Sequence, residues 1–570
     1  MLNSLDVHQL EFLYECAEII FTLLFVVGIA IAAPRASRNV FQKIESAISN
    51  FSLRTGTIAL LLFVGIIALR LAVIPLVPRH VPGIHDEFSY LLAADTFLHG
   101  RLANPTHPLW MSFESFHINW FPTYSSIYPP AQGAILAVGK IFGNPWIGIV
   151  LSVGVMSVAI FWMLLAWFPS RWALLGAALA TVKLGIASYW MNSYWGGSVA
   201  AIGGALVLGA MPRIVRRANT RDALFLALGI GILANSRPYE GFIFCLPVAA
   251  WFAWWLVGKT KSRDRASPRI QKTLLPLVAA LTLVVGWMGY YNWRLTGNAL
   301  LLPHTVNERR YHSAPMFVWG DVKEPLEYNN QTFYDFYTGW EREEYQRNWS
   351  KFWYVSQLKL TRYPTTYFWM GFFIALPGLF FVLRDRRTRF LLVSSAFAVL
   401  AMFSVVWANP HYISPWTCVF FALLVQAIRH VRLVRWTRGL PAPPVGIALS
   451  WAIAAVLLLD TSRLVSHHAC DTLEWTCQGD PSRAAVSDRL SQLPGKHLVI
   501  VHYTDDDHNI HDEWVYNDAD LDNAKVIWAR ELTAEQNARL LAYFRERSIW
   551  WVDPDNDNTE LVAYPPKPEE

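Results

Sequence analysis

Apolar stretches recur along most of this 570-residue chain. Many run for about 17 to 23 residues, which at roughly 1.5 Å per helical residue covers the ~30 Å hydrocarbon core of a bilayer. The mean hydropathy of +0.27 and the hydrophobic content of 54% are too high for a soluble protein of this length. The sequence therefore predicts a multi-pass α-helical membrane protein with about twelve transmembrane helices. The predicted spans lie near residues 12–33, 57–77, 144–167, 172–189, 197–211, 223–235, 241–257, 273–292, 366–383, 390–408, 412–428 and 444–461.

Lysine and arginine are concentrated in alternate loops, and such loops are retained on the cytoplasmic side. Basic surfaces in this position meet anionic lipid, so a nucleic-acid partner is not expected. The basic loops lie near 35–54, 213–221, 259–272, 384–389 and 429–438. The segments predicted outside are the N-terminus, the loops 78–143 and 293–365, the turns 190–196, 235–240 and 409–411, and everything after about 461.

This pattern divides the chain into three regions. Residues 1–56 are predicted to form an extra N-terminal transmembrane helix and a cytoplasmic linker, and residues 57–461 the main membrane domain. Residues 470–570 are predicted to form a small, separate soluble α/β domain outside the membrane.

In this last region, strand-like segments alternate with helices, which predicts a small parallel sheet. The helices begin at Asp480-Pro481 and at Thr533, where an N-cap is followed by a proline or a capping box. The strand-like segments lie near 496–503, 525–529 and 548–552. The region has no phosphate-binding glycine loop, so we expect it to dock an acceptor or a partner.

Two of the five cysteines, Cys470 and Cys477, follow the last predicted span closely. In an oxidising compartment such a pair favours a short-loop disulfide. A zinc site formed by the same two cysteines with His467 and His468 is the alternative. The other three cysteines lie in predicted spans, where packing is the simplest interpretation.

Paired carboxylates, Asp86 and Glu87, open a helix at the start of the first long outer loop. This helix is predicted to lie along the membrane surface, with Tyr90 one turn after Asp86 on the same face. Acids at a helix N-terminus can simply cap the first turn and stabilise its dipole. Two adjacent acids at a membrane surface also fit general acid–base chemistry, and both interpretations stay open here.

Further polar residues are expected at the same depth of the membrane. Tyr128 precedes Pro129-Pro130 and a short apolar segment, 131–142, that is too short to cross the bilayer. Arg237 and Glu240 lie in a tight outer turn, where such charges either pair with each other or face a polar cavity. The remaining outer candidates are His304, Arg309, Arg310, Tyr311, His411 and Tyr412.

This pattern resembles the GT-C superfamily of membrane glycosyltransferases, in particular the branch with the protein O-mannosyltransferases and the lipid A aminoarabinose transferase. The resemblance covers roughly residues 57–430. Two features depart from the family pattern: Tyr128 replaces a basic residue before Pro-Pro, and the turn 190–196 contains no acid, which leaves metal dependence open. The matching residues are Asp86-Glu87-Phe88-Ser89-Tyr90 with Ala93 and Gly100, Tyr128-Pro129-Pro130, and His411-Tyr412-Ile413-Ser414-Pro415.

The resemblance implies transfer of a sugar from a polyprenyl-phosphate donor to an acceptor hydroxyl on the outer face of the membrane. Asp86 would be the general base and Glu87 would orient the acceptor or the base. A single displacement would invert the anomeric centre. The other expected substrate-binding residues are Tyr90, Tyr128, Arg237, Glu240, Arg309, Arg310, Tyr311 and His411.

The sequence predicts few cofactors and partners. The resemblance implies the lipid-linked sugar itself as donor, which agrees with the absence of a Walker-type or G-x-G-x-x-G loop; no metal ligand is assigned and the need for a divalent metal stays open. The acceptor can be a protein, a glycan or a lipid. A bacterial inner membrane, with the site facing the periplasm, is the expected location.

Two hypotheses from other functional classes remain. A transporter would suit about twelve spans, but charges inside the spans are scarce and no inverted repeat is evident. The other hypothesis is a non-catalytic assembly or binding protein that presents the C-terminal domain. This second hypothesis requires Asp86 to face lipid or solvent instead of a pocket shared with Arg237 and Arg309.

Overall fold

The computed structural model describes residues 54–565 apart from 259–268, 325, 345–348, 369–371, 434–441, 467–476, 478, 505–507 and 557–559, together with isolated positions between 20 and 46. Its helices are α1 Thr55–Ala72, α2 His85–Leu98, α3 Pro130–Ile141, α4 Pro145–Trp167, α5 Ser170–Gly185, α6 Ser198–Arg216, α7 Thr220–Ala234, α8 Pro238–Val257, α9 Leu275–Thr296, α10 Pro303–Arg310, α11 Gln331–Tyr334, α12 Glu341–Glu344, α13 Trp349–Phe368, α14 Phe372–Val382, α15 Arg389–Ser404, α16 Thr417–Leu433, α17 Ala442–Ser466, α18 Pro481–Gln492 and α19 Ala534–Tyr543. The strands are β1 Ile118–Asn119, β2 Ser125–Ser126, β3 His497–Val501, β4 Val526–Arg530, β5 Ser548–Val552 and β6 Val562–Ala563.

The chain is a multi-pass helical membrane protein. Within the described ranges, 7 helices are long and apolar enough to cross a bilayer. They are α1, α4, α6, α8, the segment Ile270–Thr296 that ends in α9, the segment Pro410–Leu433 that ends in α16, and Gly446–Ser466 within α17. The total of about twelve spans stays a prediction, since shorter helices are also apolar and the span predicted at 12–33 falls largely outside the described residues.

Helix α6 lies at the centre of the membrane part and is buried along most of its length. Small residues on α6 allow neighbouring backbones to approach closely. A Cβ added at Gly204 would lie 1.9 Å from the carbonyl oxygen of Pro415, and one at Gly203 would lie 3.0 Å from that of Gly229. These contacts fix the turn Pro410–Trp416 and helix α7 against α6.

Helix α13 differs from the prediction. The sequence placed 349–365 in an outer loop, but α13 begins at Trp349, and the span predicted at 366–383 is divided between the end of α13 and α14. Hydropathy missed most of α13 because polar residues follow one face. The fold compensates for one of them, since the buried amine of Lys359 donates to the carbonyl of Val405.

Helix α2 is not the exposed amphipathic helix that the sequence predicts, and its position along the membrane surface stays a prediction. Ten of its 14 residues are buried, on every side of the helix. It packs against α3, against the short hairpin of β1 and β2, and through Phe88 and Leu92 against residues of the C-terminal region. The pattern of one helix could not show this burial, because the covering residues come from α3, the hairpin and the C-terminal region.

The C-terminal region contains a four-stranded sheet in the order β4-β3-β5-β6. Strands β3, β4 and β5 are parallel, with His497 opposite both Val526 and Ser548. They lie in the three segments that the sequence pattern indicates. The short strand β6 pairs antiparallel with β5 and was not predicted.

This sheet shares its core with the first outer loop. Leu498 and Ile500 of β3 belong to the same hydrophobic cluster as Phe113 and Trp120. The carboxylate of Asp95 in α2 also accepts from the backbone N–H of Ala519 at 2.9 Å and from Lys140 at 2.8 Å. The region is therefore docked on the outer loops and is not the separate unit that its sequence suggested.

A glycine at the edge of this interface offers a stability prediction. Gly479 has φ +66°, and a Cβ there would lie 2.1 Å from the carbonyl oxygen of Val81. Gly495 has a similar φ, +85°, but open space around it. We expect Gly495→Ala to cost roughly 1–2 kcal/mol through its left-handed backbone alone, and Gly479→Ala to cost clearly more because the interface must also shift. Thermal unfolding of both variants in detergent measures the difference, and equal losses would contradict the close packing.

Candidate active site

A cavity of about 1050 Å³ lies between the helix ends and the two long loops, 78–143 and 293–365, that the sequence predicts outside. It receives side chains from α2, α8, α9, α10 and α13, from both long loops, and from the C-terminal region. This volume is at the upper end of the range for small-molecule sites. Its ionisable and tyrosine side chains are His85, Asp86, His117, Tyr128, Arg237, Tyr239, Glu240, Tyr291, His304, Glu308, His312, Tyr354, Arg362, Tyr412 and His511.

One wall of the cavity is apolar. It is formed by Phe242, Met288, Val355 and Leu358, which come from the transmembrane helices α8 and α9 and from α13. Phe242 is 63% exposed, so this wall reaches the lipid-facing surface. The cavity therefore joins a polar interior to the region where the apolar part of a membrane lipid would lie.

Asp86 lies on the floor of the cavity at the first turn of α2. Its side chain is 22% exposed, and the hydroxyl of Tyr128 donates to its Oδ1 atom. The Nε2 atom of His117 lies 4.0 Å from its Oδ2 atom. The carboxylate is therefore held by Tyr128 and lies near His117, while it stays accessible to a ligand.

The sequence around Tyr128 explains its position. Pro129 and Pro130 provide the N-cap and the first residue of α3, which fixes the direction of the chain as it leaves the hairpin. The backbone N–H of Tyr128 donates to Ser126 Oγ at 3.1 Å, and its ring stacks on Tyr90 with 4.3 Å between ring centroids. Tyr128 thus lines the cavity, while Tyr90 is buried behind it.

Two arginines line the same cavity. The Arg237 guanidinium lies 4.9 Å from the centre of the Tyr412 ring. Among the described residues no carboxylate forms a direct ion pair with Arg237, although Glu240 is near enough to attract it electrostatically. Arg362 of α13 likewise lines the cavity without a described carboxylate partner. Guanidinium groups that line a cavity without a direct ion pair to a carboxylate suit an anionic ligand.

Glu87 does not line the cavity. It is fully buried and accepts hydrogen bonds from the backbone N–H groups of Gly83 at 3.0 Å and Ile84 at 3.2 Å. Its other oxygen contacts His80 Nε2 at 2.7 Å and accepts from the Tyr194 N–H at 2.8 Å. Of the two adjacent acids, Glu87 therefore caps the helix, and Asp86 is the one that faces the cavity.

Four other predicted residues also lie outside the cavity. Arg309 and Arg310 are exposed, and Arg310 stacks over Trp110 at 5.1 Å. Tyr311 is buried and donates to Glu114 at 2.8 Å. His411 is buried behind the cavity wall, against Trp195. Sequence position alone had grouped these residues with the site, but their side chains point away from it.

The cavity residues that sequence reasoning missed include His117, Glu308, His312 and Arg362. His312 forms a buried pair with Glu341, with 2.6 Å between Nδ1 and Oε1. Arg362 could have been found from its place on a polar face of an otherwise apolar helix. His117, Glu308 and His312 have no local sequence signal.

Burial lowers the pKa of His117 and lowers that of His304 to about 3. The ordinary pKa of a histidine is near 6.5, so a lowered pKa leaves both imidazoles neutral at pH 7. The permanent positive charge of the cavity then comes from Arg237 and Arg362.

Cys477 is disulfide-bonded, and Cys470, its predicted partner, lies outside the described residues. A disulfide sulfur is not a thiolate ligand, so the zinc alternative is not compatible with this state of Cys477. Within the described ranges, no three His, Cys, Asp or Glu side chains are grouped so that they could hold a metal ion.

No protein-family model matches the chain, and no curated protein matches its sequence. Among solved structures, ArnT from Cupriavidus metallidurans matches in the apo state with 14% identity over 86% of this chain and 93% of that chain, at a TM-score of 0.47. ArnT bound to undecaprenyl phosphate matches with 15% identity over 88% and 94%, also at 0.47. The Archaeoglobus fulgidus oligosaccharyltransferase tethered to an acceptor peptide matches with 12% identity over 86% and 69%, at 0.45. Sequence identities and TM-scores this low carry no argument about function, so the function of the cavity has to be inferred from its own residues.

Proposed function

We propose that this protein is a membrane glycosyltransferase that moves a sugar from a polyprenyl-phosphate donor to an acceptor hydroxyl. One observation carries the proposal: an accessible carboxylate, Asp86, and two arginines that form no direct ion pair among the described residues line one cavity that opens through an apolar wall. A base, an anion-binding group and a lipid-facing opening are the three features that this reaction needs.

Asp86 is the general base in this proposal. As the acceptor oxygen attacks the anomeric carbon, its proton passes to the Asp86 carboxylate. The bond from the anomeric carbon to the phosphate oxygen breaks in the same displacement, and its electron pair leaves with the lipid phosphate. Attack opposite to the leaving group inverts the anomeric centre.

Arg237 and Arg362 hold the departing phosphate. Guanidinium groups form charge-assisted hydrogen bonds with phosphate oxygens and stabilise the charge that develops as the bond breaks. Tyr412 holds Arg237 through its ring face, so the guanidinium is already in place before the donor arrives.

The lipid tail enters between the helices. Next to the cavity, a second groove of about 380 Å³ is lined by Leu224, Leu228, Ile232 and Val284 on α7 and α9. Asn235 lines both the groove and the main cavity, so the two meet two residues before Arg237 in the chain. An isoprenoid chain in the apolar groove would place its phosphate near that arginine.

Neither alternative class gains support from the site. The assembly-protein hypothesis required Asp86 to face lipid or solvent, whereas Asp86 shares a cavity with Arg237. We place the reaction on the periplasmic side of a bacterial inner membrane, where the outer loops and the C-terminal region are expected from the charge pattern. The acceptor, whether protein, glycan or lipid, would reach the cavity from the side of His511.

A transfer assay tests the class of reaction. Purified protein in nanodiscs is incubated with membrane polyprenyl-phosphate sugars that carry a labelled sugar, and with a membrane extract as the source of acceptors. We expect label to leave the donor lipid and enter a new product, and heat-denatured protein provides the background. No transfer above this background with any donor pool would overturn the proposal.

Arg237 supplies a prediction about donor binding. Arg237→Gln should raise the KM for the donor roughly 10- to 100-fold, because it removes a charge-assisted contact to the phosphate. Arg237→Lys should recover part of this loss, since it keeps the charge but not the planar fork. Steady-state kinetics at varied donor density in the bilayer measures the effect. Arg309→Gln, an exposed arginine outside the cavity, is the matched control, and equal effects in both variants would contradict the assignment.

A further inference from the structure

His117 has a backbone conformation that residues with a Cβ rarely adopt. Its φ is +57°, and within the described ranges it is the only residue other than glycine with a positive φ. Such conformations persist where surrounding contacts fix them, and they cluster at functional sites. Here the carbonyl of His117 accepts from Ser89 Oγ at 2.6 Å and from the Ile127 N–H at 3.4 Å. Helix α2 and the β1–β2 hairpin together hold this residue in place.

The imidazole that this backbone presents faces Asp86. Its Nε2 atom lies 4.0 Å from Oδ2, the carboxylate oxygen that Tyr128 does not contact. The side chain of His117 is 15% exposed, and this exposed part lines the cavity. The two oxygens of Asp86 therefore have two different hydrogen-bonding side chains beside them.

The opposite ring nitrogen identifies the tautomer. Nδ1 of His117 is buried and has no hydrogen-bond partner among the described residues. A neutral imidazole carries one proton, and a buried N–H without an acceptor is the more costly arrangement. The proton therefore belongs on Nε2, where it points toward Asp86.

The surroundings keep this imidazole neutral. Burial lowers the pKa of His117, the nearby imidazole of His312 lowers it further, and Asp86 and Glu341 act in the opposite direction. The other titratable groups around the ring are His85, with 5.9 Å between ring centroids, Tyr128 at 6.2 Å, and His304. His117 is thus a hydrogen-bond donor that does not compete with Asp86 for the proton of the acceptor.

We propose that His117 is a positioning residue for Asp86. Its Nε2–H donates to Oδ2 while Tyr128 donates to Oδ1, and together they aim the carboxylate at the acceptor hydroxyl. A shift of about 1 Å brings the pair to hydrogen-bond distance. His117 neither gains nor loses a proton in the reaction. This inference rests on the proposed transferase function and on Asp86 as its base.

The test is the pH dependence of kcat for wild type and His117→Asn. Asparagine tolerates a positive φ better than most residues, so the backbone is kept while the donor at the Nε2 position is lost. We expect kcat on the high-pH plateau to fall about 10-fold or more, because the carboxylate is no longer aimed. The acid limb of the profile should move up by about one pH unit, because the ionised carboxylate has lost a hydrogen bond.

Two further variants separate positioning from loss of structure. His107→Asn removes a buried histidine of the same outer loop that does not line the cavity, and it should leave both the plateau and the acid limb unchanged. His117→Gly keeps the backbone and leaves a space for free imidazole, and added imidazole should restore part of its plateau rate.

The outcomes are distinct. Absence of transfer by wild type overturns the proposed function itself. Normal transfer by wild type with an unchanged plateau and acid limb in His117→Asn overturns only the role of His117. Equal losses in His107→Asn, or no effect of imidazole on His117→Gly, also overturn it.

Discussion

Asp86→Asn should abolish most of the transfer activity while the protein stays folded. We expect kcat to fall about 10²-fold or more, the range over which a positioned general base contributes. The amide is nearly isosteric with the carboxylate, and Asp86 is partly exposed to the cavity, so little packing is lost. The measurement is the rate of label transfer from the donor lipid, with thermal unfolding of the same preparation as the check on folding.

The control for this variant is Glu324→Gln. Glu324 is an exposed acid of the second outer loop that does not line the cavity, so it should retain the wild-type rate. If Asp86→Asn and wild type transfer at equal rates, the transferase class stands and Asp86 is not the base. A loss of unfolding temperature that matches the loss of rate would assign the effect to stability instead.

Glu87→Ala should have the opposite pattern, with a large loss of stability. The change removes the acceptor of three backbone N–H groups and the partner of His80, all inside the protein. Removal of one member of a buried, hydrogen-bonded pair costs about 3–5 kcal/mol. We expect a marked fall in unfolding temperature or a loss of folded protein in detergent. Glu87→Gln, which keeps an acceptor oxygen, should be intermediate in stability and transfer sugar at close to the wild-type rate per folded molecule.

The adjacent acid provides the matched comparison. Asp86→Ala removes a partly exposed carboxylate from the same helical turn, so its stability cost should stay within about 2 kcal/mol, the scale of a helix-dipole effect and the one hydrogen bond from Tyr128. Its activity should nevertheless be lost. A Glu87→Ala protein that is as stable as wild type but inactive would reverse the two roles and favour Glu87 as the reactive group.

The site was predictable only in part, and Asp86 and Arg237 show why. Asp86 follows a predicted span directly, and Arg237 lies in a two-helix turn, so both could be placed at one membrane depth by counting residues. Tyr128 is fixed by the two prolines after it. Depth does not define the direction of a side chain, however. Arg309 was placed at the same depth by the same reasoning, and it is exposed outside the cavity.

The sequence by itself determined the elements whose cause is local. Long apolar runs form α4 and α6, Pro130 begins α3, and a capping box begins α19, because each depends on residues within a few positions of one another. Only the tertiary structure decided which polar groups converge. Asp86, His117 and Arg237 come from separate elements, and the rotation of each element about its axis depends on packing against several neighbours at once. The difference between Asp86 and Glu87 has the same origin, since one residue along a helix turns the side chain by about 100°, here from the cavity into the core.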